Sequence, residues 1–131
     1  MIVDYIVIGA GSAGAAVAYR LSEDGRHSVL LLEAGGPDSE RKIHIPARFS
    51  DLFHSDVDWD YETAPQPGLN GRREYVPRGK VYGGTSSMNA MVYQRGHPSD
   101  YDRWAGDGNP GWSYAEVLPF FRKMQHQERG E

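Results

Sequence analysis

The feature that most narrows the folds open to this chain is a glycine turn set between two hydrophobic patterns of different period. Tyr5-Ile6-Val7-Ile8 is a short apolar run ended by glycine, as expected of a parallel strand buried on both faces. Gly9-Ala10-Gly11-Ser12-Ala13-Gly14 follows. From Ser12 to about Glu23 the period becomes helical, with Ala13, Ala16, Val17 and Leu21 on one face. Gly25 stands where a C′ glycine ends a helix. Ser28-Val29-Leu30-Leu31-Leu32 is a second buried-type strand that stops at Glu33. Strand, helix and strand within about 30 residues make a βαβ unit with a right-handed crossover.

Each glycine of the turn has a physical task if the turn faces a dinucleotide. Gly9 makes the tight turn, Gly11 lets backbone approach a pyrophosphate, and Gly14 lets the helix pack closely on the strand. At Ser12 and Ala13 the helix N-terminus offers unpaired N–H groups and partial positive charge to phosphates. Glu33 follows Gly14 by 33 − 14 = 19 residues. At the end of the second strand it can accept hydrogen bonds from ribose hydroxyls and would repel a 2′-phosphate, which disfavours NADP. The unit is therefore Rossmann-like and suited to the ADP half of a dinucleotide. It does not choose between NAD and FAD.

Charge and composition exclude several other chemistries. Lys and Arg number 14 against 18 Asp and Glu, a net charge of −4, which argues against a nucleic-acid surface and gives no reason to invoke an anionic membrane. There is no cysteine, hence no disulfide, thiolate metal site or thiol nucleophile. Met1 to Tyr5 has no basic region, and no apolar run approaches the roughly 20 residues that span a bilayer. A soluble, cytoplasmic protein without an integral membrane segment is the expectation. His27, His44, His54, His97 and His126 show no metal-ligand spacing, so surface or structural roles are expected and no metal. Ser12 is not a nucleophile elbow, because position 10 is alanine, and no Lys-Ser or Lys-Thr follows to make a P-loop. Arg72, Arg73, Arg78 and Lys80 read as a solvated turn rather than a phosphate site, and Trp59 and Tyr61 as core packing rather than a cover for adenine.

Residues 34 to 80 are interrupted by Pro37, Pro46, Pro65, Pro67 and Pro77 and read as an extended excursion. One helical turn is expected near Ala47–Phe53 and a tight turn at Gly68-Leu69-Asn70-Gly71. Residues 98 to 126 read as two helical pieces. The first begins near Pro98-Ser99-Asp100, and the second opens on a capping-box spacing, Ser113 to Glu116. A polar tail follows from Gln125.

The cofactor choice comes from a second glycine cluster. Pro77-Arg78-Gly79-Lys80-Val81-Tyr82-Gly83-Gly84-Thr85-Ser86-Ser87-Met88-Asn89-Ala90-Met91-Val92-Tyr93-Gln94-Arg95-Gly96 resembles the first signature of the glucose–methanol–choline (GMC) flavoprotein oxidoreductases. His97 to Trp104, Asn109 to Tyr114 and Leu31-Leu32-Glu33-Ala34-Gly35-Gly36 extend the resemblance over almost the whole chain, which looks most like the choline-dehydrogenase-like alcohol dehydrogenases. Tyr82 departs from the signature, which usually has an aliphatic residue or tryptophan there. The resemblance implies FAD, with Ala34 joining the ADP-side residues Gly9, Gly11, Ser12, Ala13, Gly14 and Glu33. It also implies that Val81, Asn89, Ala90, Met91 and Val92 contact the cofactor, while Gly83, Gly84 and Thr85 let the loop pass close to it. On the residues alone, two adjacent glycines followed by hydroxyl residues give a compact loop rich in donors; a polar turn between two elements is the plain alternative. Some family members attach FAD covalently through a histidine at the position matching Met88. Methionine has no nucleophilic nitrogen, so a non-covalent cofactor is expected.

Full-length members of this family oxidise the CH–OH group of a small alcohol by hydride transfer to flavin, with a histidine near the far end of the chain as base. None of the five histidines here matches that position, so no catalytic residue is assigned. The chain reads as the N-terminal fragment of such an enzyme. Residues 1–36 would be the ADP-binding βαβ unit, 37–78 the excursion, 79–104 the flavin-contacting segment and 105–126 helical, with the catalytic domain absent. The expected fold is an incomplete doubly wound α/β domain: strands 5–8 and 28–32 need cover that these residues do not supply, so residues 1–131 alone should be neither stable nor active. Two alternatives stand beside this, an NAD-dependent dehydrogenase and a non-catalytic dinucleotide-binding module.

Overall fold

In the computed structural model, which describes residues 2–125, β1 (Tyr5–Ile8) and β2 (Val29–Leu32) lie parallel. Tyr5 stands opposite Val29 and Ile8 opposite Leu32. The helix α1 (Ser12–Ser22) connects them. It packs on β1 and β2 through its smallest residue: a Cβ at Gly14 would sit 1.9 Å from the Gly9 carbonyl oxygen and 3.5 Å from Val7 Cγ1. The partly covered stripe of α1 is accordingly Gly14, Ala18 and Leu21. This corrects the sequence assignment of Ala13, Ala16 and Val17 to the packed face; all three are exposed, because a contact made through glycine rotates the helix away from its most apolar stripe. Gly25 is left-handed (φ +70°) but lies two residues past the C-cap Glu23, donating to the Ser22 carbonyl at 3.1 Å.

The two strands are of the kind that is buried on both faces, and they lack the cover expected to be missing here: Ile6 is 58% and Ile8 84% exposed, since α1 covers only the Val7 side.

The excursion contains more structure than its prolines suggest. Helices of the 3-10 type occupy Arg41–His44 and Pro46–Leu52, the second, seven residues long, lying where one helical turn is expected near Ala47–Phe53. The strands β3 (Tyr61–Glu62) and β4 (Tyr75–Val76) pair antiparallel. Between them a 3-10 turn at Pro67–Leu69 runs into left-handed Asn70 and Gly71, which is the turn the sequence marks. The fully buried side chains of this unit are Leu52, Val81 and Met88.

The chain divides into two units, Met1–Val92 and Tyr93–Glu131. In the second, α2 (Pro98–Gly106) starts with proline at N1, after His97 accepts a hydrogen bond from Ser99 N. The helix α3 (Tyr114–Met124) opens with the capping box of Ser113 and Glu116. Tyr101 packs among Trp104, Tyr114 and Phe121 to hold the two helices together. The polar tail expected beyond Gln125 lies outside the described residues. No helix among those described is long and apolar enough to cross a membrane.

Candidate functional site

The glycine turn is open toward solvent and closed toward β1. A Cβ at Gly9 would meet nothing within 4 Å, and one at Gly11 nothing nearer than 3.9 Å. Gly9 has φ +96°, a left-handed conformation that favours glycine. Gly11 is the N-cap of α1, and no side chain caps the helix. The N–H groups of its first turn, including those of Ser12 and Ala13, lack intrahelical partners by helix geometry, and no side chain of the cap takes their place.

Glu33 fastens this turn. One carboxylate oxygen accepts from Ala10 N at 2.7 Å and the other from Gly35 N at 2.8 Å. Donation from Gly35 and then Ala10 holds its pKa below the ordinary glutamate range. An ionised carboxylate has about four acceptor sites, so both oxygens keep a lone pair for a further donor.

The second glycine cluster lies against the first. Gly11 and Gly83 form a parallel bridge, and Gly83 N donates to the Ala10 carbonyl at 3.1 Å. Gly36 bridges Val81 in the same sense, with Tyr82 N donating to the Gly36 carbonyl at 2.9 Å. Gly84 starts a 3-10 turn over Gly84–Ser87 and is buried.

These pieces surround a cavity of about 740 Å³. Ile8, Gly9, Gly11, Leu32, Glu33 and Ala34 line one side; Trp59, Tyr61, Val76, Arg78, Gly79, Gly84 and Thr85 line the other. Trp59 and Tyr61 are 38% and 49% exposed and stack on each other, with the Lys80 ammonium 5.0 Å above the indole. Their assignment to core packing is thus corrected: Trp59 and Tyr61, the latter opening β3, stand on the cavity wall. Arg72 pairs with Glu74, and Arg73 donates to the Thr63 carbonyl. Only Arg78 of the basic cluster reaches the cavity.

The remaining expected site residues fall elsewhere. Gly14 is a packing contact, as described. Val81 is 1% exposed, so its side chain faces the protein interior. Asn89 and Met91 line a second cavity of about 220 Å³ with Phe49, Ser86 and Ser87, and Met91 adopts φ +55°. Ala90 and Val92 are exposed.

Asp58 is the residue that sequence reasoning missed. It is buried, yet fully partnered: Oδ1 accepts from Asp60 N (3.1 Å) and Arg78 N (3.0 Å), and Oδ2 from His54 N (3.0 Å) and the Tyr75 hydroxyl. Burial pushes its pKa up, but the hydrogen bonds, that from Tyr75 foremost, outweigh burial and leave it below the ordinary aspartate range. Burial, and then the bond to Asp58, push Tyr75 to about 12. This hub ties the chain before Trp59 to the chain before Gly79 and so fixes one wall of the cavity. Nothing in the Asp56, Asp58, Asp60 alternation marks the middle residue.

Comparison with known proteins assigns this α/β architecture to a family. The family model for GMC oxidoreductase matches residues 3–129. An uncharacterized GMC-type oxidoreductase of Mycobacterium tuberculosis is 58% identical over 123 residues, covering 94% of this chain and 23% of the relative. The oxygen-dependent choline dehydrogenase of Rhizobium etli is 52% identical over 129 residues, covering 98% and 24%. Among solved structures, pyridoxine 4-oxidase from Mesorbium loti superposes with a TM-score of 0.84 at 44% identity, covering 90% of this chain and 23% of that one. A formate oxidase from Aspergillus oryzae, studied for FAD modification, gives 0.83 at 34% identity, covering 92% and 22%. The chain belongs to the GMC oxidoreductase family. It spans about a quarter of the length of the curated relatives it matches.

Proposed function

We propose that this chain forms the cofactor-holding part of an FAD-dependent oxidoreductase, with the ADP half of FAD in the 740 Å³ cavity. The observation that carries this is the glycine turn. Gly9 and Gly11 line the cavity with nothing where their Cβ atoms would be, at the uncapped start of α1. Space for a pyrophosphate and donors aimed at it occur together, so the residues fit the group.

In this proposal the strand–helix–strand unit is the Rossmann-like start of a doubly wound domain. Ser12 and Ala13 donate backbone N–H groups to the phosphates. Glu33 orients the ribose hydroxyls with the lone pairs that Ala10 and Gly35 leave free, with Ala34 beside it. Thr85 and the walls carrying Trp59 and Arg78 exclude water from this end. Asn89, Ala90, Met91 and Val92 serve the flavin end, with Val81 supporting them from the core. The bound flavin supplies the hydride-accepting chemistry, and a small alcohol is the substrate class of the whole protein. Met88 is buried and carries no nucleophilic nitrogen, so the cofactor is held without a covalent bond.

The test is spectroscopic. The protein made from its full reading frame is expected to purify with a flavin absorbance that acid precipitation releases into the supernatant. Flavin fluorescence remaining on the denatured polypeptide would overturn the non-covalent assignment. A bound nicotinamide and no flavin would overturn the cofactor itself.

A further inference from the structure

Two glycine segments far apart in sequence meet backbone to backbone. A Cβ at Gly84 would lie 2.9 Å from Gly11 Cα, and Gly84 has φ +57°, so position 84 is doubly restricted to glycine. Beneath it, a Cβ at Gly79 would lie 2.3 Å from the Gly84 carbonyl oxygen. Side chains continue the contact: Ser12 Oγ and Ser86 Oγ are 2.8 Å apart. Ser86 donates its one hydroxyl proton to the Gly83 carbonyl at 2.6 Å. Ser12 must then be the donor to Ser86. The hydroxyl of Ser12 is held sideways by this bond, and with it the first residue of α1.

We infer that Gly84 and Ser86 are positioning residues for the pyrophosphate turn: they hold Gly11 and Ser12 in the conformation that receives the ADP half. This rests on the cavity being a dinucleotide site, and it differs from the role the family signature suggests, a loop merely passing the flavin. A loop that served only the flavin end would leave the binding of a ligand without a flavin unchanged. A brace on Gly11 and Ser12 would not.

ADP is the discriminating probe, measured by calorimetric titration on the protein of its full reading frame, produced under riboflavin limitation. Ser86→Ala removes the acceptor for Ser12 without adding bulk. It is expected to weaken ADP by about fivefold, the equivalent of one neutral hydrogen bond. Ser86→Thr keeps the hydroxyl and is expected to restore wild-type affinity, which a general loss of stability would not do. Combining Ser12→Ala with Ser86→Ala should cost less than the product of the two single losses, because the two hydroxyls share one bond. Gly84→Ala is expected to abolish ADP binding; if it fails to fold, the serine variants carry the test. Equal ADP affinity in wild type and Ser86→Ala would overturn the brace and leave the cavity assignment standing. No ADP binding by the wild type would overturn both.

Discussion

The two glycine clusters of this protein use the same residue for opposite ends. In the first, Gly9 and Gly11 leave the space beside them empty, and only Gly14 is filled by backbone. In the second, Gly79 and Gly84 are glycine because that space is already filled with backbone, as it is at Gly35, where a Cβ would lie 2.1 Å from Val81 N. An empty glycine on a cavity wall points to a ligand, whereas a filled one points to chain packed on chain. Composition cannot tell the two apart, but substitution can.

The largest effect should come from a filled position. Gly79→Val drives a branched side chain into the Gly84 carbonyl and is expected to destabilise by on the order of 4 kcal/mol or more. Denaturant unfolding of the whole protein reads this directly, and a loss below about 1 kcal/mol would erase the distinction. Next comes an empty position. Gly11→Val should leave stability within about 1 kcal/mol of wild type. It should nonetheless weaken FAD by roughly 3 kcal/mol, about a hundredfold, through lost charge-assisted contacts. Wild-type flavin occupancy in this variant would break the comparison from the other side.

Glu33 sharpens it further, since this side chain fastens the open turn and faces the cavity. Glu33→Gln is expected to cost about 1–3 kcal/mol in FAD affinity. Its stability effect depends on pH with a definite sign. The folded pKa is depressed, so the contribution is complete above the ordinary glutamate pKa and disappears as pH falls through the lower folded value. Unfolding midpoints of wild type and Glu33→Gln should converge in strong acid and separate above it. Convergence at neutral pH instead would remove the clamp. The smallest effect belongs to the wall behind the filled glycines. Tyr75→Phe should cost about 1 kcal/mol, one hydrogen bond to Asp58. Here the folded pKa is raised, from 10.0 to about 12. The contribution is complete below the unfolded value and fades as pH climbs through the folded one. A difference that persisted undiminished above that range would exclude the phenol as its source.

What the sequence disclosed is what local chemistry decides. The strand before Gly9, the helix after it, the 46–52 turn, the left-handed pair Asn70 and Gly71 and the Ser113–Glu116 capping box depend on neighbours within a few residues. The β3–β4 pair escaped notice because two residues per strand carry no period. The packed face of α1 was misassigned because hydrophobicity cannot flag a contact made by glycine. The cavity-side placement of Trp59 and Tyr61 and the hub at Asp58 follow from which distant segment lies alongside, and no spacing encodes that. Gly35 and Gly79 were visible as glycines, but the backbone that fills their space lies 45 residues (80 − 35) and 5 residues (84 − 79) further along the chain.

The bridge between Gly11 and Gly83 also sets a timetable for synthesis. It closes a loop of 83 − 11 = 72 residues, a non-local contact that cannot form until its later partner exists. At roughly 5–20 residues per second, the ribosome adds that stretch in about 4–14 s. Once residues 9–14 and Glu33 are in place, the first glycine turn waits for Gly83 with nothing of the second cluster seated against it. If Gly84 and Ser86 brace the turn as proposed, cofactor capture belongs after residue 86 has left the exit tunnel. Ribosome-stalled chains of increasing length should acquire flavin no earlier than that point.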